Sequence, residues 1–217
     1  MSEPTKPRLR GYFHEIGFFA SLPLLVVAIW IAQQHMREFV IEVTVLYCCS
    51  LSGMLGVSAL YHRINWSASN RLLMRRLDRT MIFVLIAGSY TPFGVLCFDG
   101  ILNQIVLWIL WISVILGFLM NVFWHTAPKW VRAGLYVLAG WTGILTTPQL
   151  LTTVGLNCLF LMLTGGVIYT IGATFYAFKG PNPIRGILEY HELFHLCVLL
   201  GALCHFFAIA FYVLPSS

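Results

Sequence analysis

The sequence predicts an all-α membrane protein, a bundle of seven transmembrane helices, and three observations carry that prediction. Of the 217 residues, 59% are hydrophobic and 10% charged, against about 25% charged in a soluble domain. A soluble monomer of this size leaves roughly a third of its unfolded surface exposed, so helices apolar on every side must face something other than water. The apolar residues are gathered into runs of about 20, the length that crosses a ~30 Å hydrocarbon core at 1.5 Å per residue. Lys and Arg, 13 in all, fall almost wholly in alternate loops, as the cytosolic excess of basic residues requires.

The first run, Ile16 to Ala32, follows the basic residues Lys6, Arg8 and Arg10. That order imitates a signal peptide, but the run is long and no small-x-small cleavage site follows, so it is expected to stay attached as the first helix. The second run, Phe39 to Tyr61, is closed by His62 and followed by Arg63, Arg71, Arg75, Arg76 and Arg79. The third, Thr80 to Phe98, is opened by Asp78 and stopped by Asp99-Gly100; the fourth, Ile101 to Phe123, ends before Pro128-Lys129. The fifth, Val131 to Thr147, is short, carries Gly140, Thr142 and Gly143, and meets Pro148. The sixth, Leu150 to Phe178, contains Gly165, Gly166 and Gly172, which allow close helix packing. It is broken by the Lys179-Gly-Pro-Asn-Pro183 stretch, and the seventh run is Tyr190 to Leu214.

The connections are short, which predicts one bundle over residues 1–217 with consecutive helices antiparallel and residues 1–13 as a short basic tail. The N-terminus and the even-numbered loops hold every Lys and Arg except Arg37, including Lys129, Arg132, Lys179 and Arg185. This places them in the cytosol and the C-terminus outside a cell (inner) membrane. A formal charge of +5 would suggest nucleic acid for a soluble chain, but here the charge is spent on orientation and no nucleic-acid partner is expected. Membrane lipid is the expected substrate or ligand, while oligomeric state is not legible. All six cysteines lie in apolar runs without a Cys-x-x-Cys pair and read as small buried hydrophobes, neither disulfides nor ligands.

Ionisable residues at the rim of an apolar span are costly and call for partners. His62, Asp78, His191 and His195 all fall at cytosolic helix ends. A four-residue spacing puts the imidazoles of His191 and His195 on one helix face with Cβ atoms about 6 Å apart, which suits one metal ion. Alone the pair is a weak signal. With His62 at the same level it becomes three imidazoles and an open position, the arrangement of a catalytic zinc site. Ser58, one turn before His62, and Asp78 are then placed to hold a reacting water and take its proton. The competing expectation pairs Asp78 with Arg75, Arg76 or Arg79 and leaves the histidines hydrogen-bonded between helices. His14 is a reserve ligand; His205 lies ten residues beyond His195, about 15 Å deeper, and His35 and His125 fall in loops.

Ser58-Ala-Leu-Tyr-His62, Asp78 ahead of Ala87-Gly-Ser-Tyr-Thr-Pro-Phe93, and His191-x-x-x-His195 leading into Cys204-His-Phe-Phe-Ala-Ile209 together resemble the hemolysin III family. That family is the bacterial branch of the progestin and adipoQ receptor group, and the resemblance runs through nearly the whole chain. It implies a seven-helix receptor-like bundle with zinc on the cytosolic side held by His62, His191 and His195, and with Asp78 and Ser58 beside the reacting water. The related adiponectin receptors and alkaline ceramidases imply hydrolysis of lipid amides. The chain departs where family members often carry Glu and Asn before the first-helix histidine, having Pro7 and Arg10 before His14.

Two rivals stand beside this expectation. One is a zinc that only pins helices in a membrane sensor or homeostasis protein. The other reads His191-Glu-Leu-Phe-His195 as the H-E-x-x-H of an intramembrane metalloprotease with Glu192 as base. Pore formation, which the family name suggests, finds no continuous polar stripe on any helix.

Overall fold

A computed structural model describes residues 7–35 and 38–216; Lys6 and Arg37 lie outside them. The chain is all-α: α1 (Tyr12–Gln33), α2 (Val40–Arg63), α3 (Ala68–Leu96), α4 (Gly100–Phe123), α5 (Lys129–Trp141), α6 (Thr147–Thr153), α7 (Leu156–Phe178) and α8 (Tyr190–Ala208). A 3-10 turn, Thr142–Thr146, joins α5 to α6, and a π turn, Ile209–Val213, extends α8.

Six of these helices, α1, α2, α3, α4, α7 and α8 with its extension, are long and apolar enough to cross a membrane. The solvent they are built for is visible on their outer faces. Phe123 and Phe178 are 80% exposed, Phe160 70% and Trp108 68%, an exposure of large apolar side chains out of keeping with a soluble monomer. Inside, hydroxyls that cannot reach water turn back to their own helix: Thr44 to the Val40 carbonyl (2.6 Å), Ser89 to Leu85 (2.7 Å) and Thr91 to Ala87 (2.8 Å).

Three expected boundaries shift. The helix carrying Asp78 begins at Ala68, so Asp78 does not open it but sits about three turns inside. Those extra turns are Arg-rich, and a hydropathy run cannot see an amphipathic helix start. α1 likewise starts at Tyr12, ahead of Ile16. The fifth run is no single helix. Gly140 and Gly143 let it break into α5, a 3-10 turn and α6, with Pro148 seated in the first turn of α6 where its missing N–H costs nothing. Gly155, at φ 99°, then turns the chain into α7, so Leu150 to Thr153 belong to the fifth segment rather than to the sixth.

α1, α2, α3, α5, α7 and α8 pack in sequence and α8 returns to α1, closing a ring, while α4 packs on the outside of α3. Glycine sets the tightest of these contacts. A Cβ on Gly172 would come within 2.6 Å of the Cys197 Cβ, and one on Gly165 within 2.5 Å of the His205 ring, so both hold α7 close to α8. Gly166 faces Trp141 with ordinary clearance. Of the cysteines expected to be buried, Cys48, Cys97 and Cys158 are, Cys197 and Cys204 are half-buried, and Cys49 is exposed, because its helix α2 turns that face outward.

Candidate metal centre

The N-terminal segment anchors one end of the ring. Arg8 and Leu9 donate backbone N–H bonds to the carbonyls of Gly186 and Ile187 (3.0 and 3.3 Å), laying the segment along the loop before α8. This brings Arg10 onto the fully buried carboxylate of Glu192. The other Glu192 oxygen accepts the Glu189 N–H at 3.0 Å, completing a capping box that fixes the first turn of α8. Gly11 follows at φ 81°, and a Cβ there would meet the His62 Cβ at 2.6 Å, so only glycine lets α1 start this close to the end of α2.

With these ends fixed, His62 of α2 meets His191 and His195 of α8. Nε2 of His62 and Nε2 of His191 are 3.1 Å apart, and one ring nitrogen from each of the three residues lies within 4.8 Å of the other two. Two nitrogens ligating one tetrahedral zinc at about 2.0–2.1 Å stand about 3.3 Å apart, so the nearer pair has ligating separation as it is. The buried Nδ1 of His195 has no hydrogen-bond partner, and a buried polar atom left so is costly unless something else satisfies it. The residues present fit zinc: three convergent imidazoles, one of them orphaned.

Asp78 and Ser58 stand beside them. Asp78 Oδ2 stands 3.9 Å from His62 Nε2, and the Ser58 hydroxyl hydrogen-bonds the Asp78 carboxyl. The five residues singled out in the sequence, Ser58, His62, Asp78, His191 and His195, thus line one cavity. Asp78 makes no ion pair with Arg75, Arg76 or Arg79; Arg76 and Arg79 donate instead to the carbonyls of Val122 (3.3 Å) and His125 (3.2 Å). His14 is in the site too, its buried ring stacked flat on His195 with centroids 3.9 Å apart. His205 is away from it, bonded to the Met162 carbonyl at 3.2 Å. Glu192 has both oxygens taken, by Arg10 and the Glu189 N–H, and is not among the described residues that line the cavity.

The sequence did not single out Arg10, Lys129, Tyr136, Tyr176 or Tyr190 as site residues, yet all five line the same cavity. Their signal was there but ambiguous, because basic and aromatic residues at helix ends also serve orientation and membrane anchoring. Below the histidines, Met54, Ile82, Tyr136, Phe194 and Val198 are shared with a second, mostly apolar cavity that reaches Tyr90 and Thr146. From Asp78 to Tyr90 along α3 that depth is roughly 18 Å, the length of a long acyl chain.

A sequence model of the family described as Haemolysin-III related matches residues 2–206. The chain is similar to Hemolysin-3 of Bacillus cereus, 31% identical over 94% of this chain and 90% of that one. It is also similar to the human Monocyte to macrophage differentiation factor, 28% identical over 79% of this chain and 70% of that one. A third relative is Progestin and adipoQ receptor-like protein 1 of Caenorhabditis elegans, 26% identical over 91% of this chain and 49% of that one.

Proposed function

Because the chain belongs to the haemolysin-III related family, within the progestin and adipoQ receptor group, we propose that it is a seven-span, zinc-dependent hydrolase of lipid amides at the cytosolic side of the cell membrane. The observation that carries this reading is the meeting of His62, His191 and His195 with Asp78 and Ser58 above a deep apolar cavity.

His62, His191 and His195 would hold the ion, which when bound would supply polarisation of the substrate carbonyl and a nucleophile from water at neutral pH. Asp78 accepts the proton of the attacking water and returns it to the leaving amine. Ser58 donates to the Asp78 carboxyl and fixes its orientation. His14 stacks on His195 and holds that ring. The apolar cavity takes the acyl chain and keeps bulk water from the reacting carbonyl.

The seventh span is the broken segment. α5, the 3-10 turn and α6, of 13, 5 and 7 residues, reach roughly 40 Å if collinear, enough to cross the hydrocarbon core. The starts of α1, α5 and α8 and the ends of α2 and α7 share the histidine cavity, which supports alternating passes with the basic loops at that end. In a cysteine-free background, cysteines at Ser69 and Pro181 are expected to be labelled only from the cytosol, and one at Ser216 only from outside. External labelling at Ser69 overturns the orientation.

Amide hydrolysis itself is tested with purified protein in nanodiscs and a panel of ceramides and other N-acyl lipids. Fatty-acid release is expected from zinc-loaded protein, is expected to stop on chelation, and to return with added zinc. Release that survives chelation would remove zinc from the reaction. A second reading, in which the ion is structural, draws on the 3.9 Å approach of Asp78 to His62, since the carboxylate could serve as a fourth ligand and close the site. It requires Asp78→Asn to lose metal.

A further inference from the structure

The histidine cavity carries more positive charge than its own carboxylates balance. Four cationic side chains touch it or stand behind it: Arg10, Arg79 and Lys129 line it, and Arg132 is buried beside it. Arg10 is matched by Glu192. The others are not. Among the described residues, the ion pairs are Arg10 with Glu192, Arg63 with Glu15 and His62 with Asp78, so no carboxylate is within ion-pair distance of Arg79, Lys129 or Arg132. Asp78 is the one acidic residue in the lining. A held metal ion would add to the excess.

What these cations do touch is neutral. Lys129 donates to the Tyr190 hydroxyl and lies 4.5 and 5.0 Å from the centroids of the Tyr190 and Tyr176 rings. Those two rings stand 6.1 and 6.0 Å from the ring of His191, so the ammonium group is one aromatic ring away from the candidate metal ligand. Arg79 uses Nη1 on the His125 carbonyl at 3.2 Å, and Arg132 uses Nη2 on the same carbonyl at 2.8 Å while its buried Nε has no partner. Arg79 is also the chain neighbour of Asp78, and it lines the histidine cavity but not the apolar one. Strong hydrogen-bond donors therefore converge at the mouth while apolar walls lie beneath.

We propose that this mouth is an anion subsite, formed by Lys129 and Arg79 with the Tyr176 and Tyr190 rings, that holds the phosphate of a lipid whose acyl amide lies at the histidines. The inference rests on the hydrolase reading above and narrows its substrate class to phosphorylated N-acyl lipids, with the phosphate a few bonds from the amide nitrogen. Charge-assisted donors and a bidentate guanidinium suit phosphate oxygens better than a neutral hydroxyl headgroup. In the reaction the water oxygen bonds to the acyl carbon, the C–N bond breaks, and the water proton ends on nitrogen. The products are a fatty acid and a phosphorylated amine.

The test is a matched pair, ceramide and ceramide 1-phosphate, with the protein in non-ionic detergent. Equilibrium binding is read in the Asp78→Asn background, where turnover is not expected. The phosphorylated lipid is expected to bind about 10-fold more tightly, the worth of one good charge-assisted contact. In the further double variant Lys129→Gln, Arg79→Gln the preference is expected to fall to within about 2-fold of none, and Lys129→Arg should keep it, which shows that the site still folds. Equal binding of the pair, as cations serving only bulk headgroups would give, overturns the proposal, and so does a preference that survives the double variant. Inorganic phosphate displacing the lipid at the lipid's own concentration would make this a free-phosphate site and overturn the lipid assignment. A preference without any turnover by the wild type leaves the subsite standing and sinks the hydrolase reading instead.

Discussion

Asp78→Asn is expected to keep its zinc and to lower lipid-amide release by about 10²–10⁴-fold, the usual contribution of a positioned proton acceptor. The substitution keeps the shape of the side chain and its contact with Ser58, and touches none of His62, His191 or His195. It removes one thing, the capacity to take a proton beside the reacting position. Glu192→Gln is expected to leave release within a few-fold of wild type. Its carboxylate is engaged by Arg10 and the Glu189 N–H, and an amide oxygen can still accept from either. A metalloprotease reverses this order, with Glu192→Gln inactive and Asp78→Asn mildly impaired. Product release and zinc content, measured on wild type and both variants at matched protein, separate the two. Loss of metal in Asp78→Asn would move Asp78 from proton acceptor to ligand and favour a structural ion.

His191→Ala, His195→Ala is expected to abolish stoichiometric zinc, and each of the three histidines changed singly to Ala to lower it by about 10-fold or more, because a three-ligand site loses a third of its donors at each step. Zinc per chain is read by elemental analysis after gel filtration of the detergent-solubilised protein. About one zinc per chain is expected for wild type. Melting temperature should fall with the metal, since His62 belongs to α2 and the other two to α8, and an ion bound only in the folded state adds its binding free energy to folding. The thermal shift accompanies either a catalytic or a structural ion, so the metal content is the deciding measurement. One zinc per chain in the double variant would remove the site.

The membrane class was legible in the sequence because hydropathy is a local property: a run of apolar residues reports the solvent it needs wherever it ends up in space. The triad of His62, His191 and His195, with Asp78 and Ser58, was legible for a related reason. Costly groups at comparable depth in a bilayer are already confined to one thin layer, so one dimension of the search is removed before folding. Hydropathy failed where the chain is mixed. The Arg-rich first turns of α3 read as a loop, which displaced the start of the helix by some three turns, and the glycines of the fifth run read as weak points without revealing that it breaks into three pieces.

What only the tertiary structure decided concerns direction. Neighbouring residues on a helix point about 100° apart, so His191 and Glu192 could not both face the reacting position. The choice was made by Arg10, which comes from the far end of the chain and holds the Glu192 carboxylate. Lys129 and Arg79 have the same character. As letters they are orientation charges at helix ends. Closing the ring from α1 to α8 turns them inward, beside Tyr176, Tyr190 and the histidines, and contacts between residues so far apart in sequence exist only once the helices have packed.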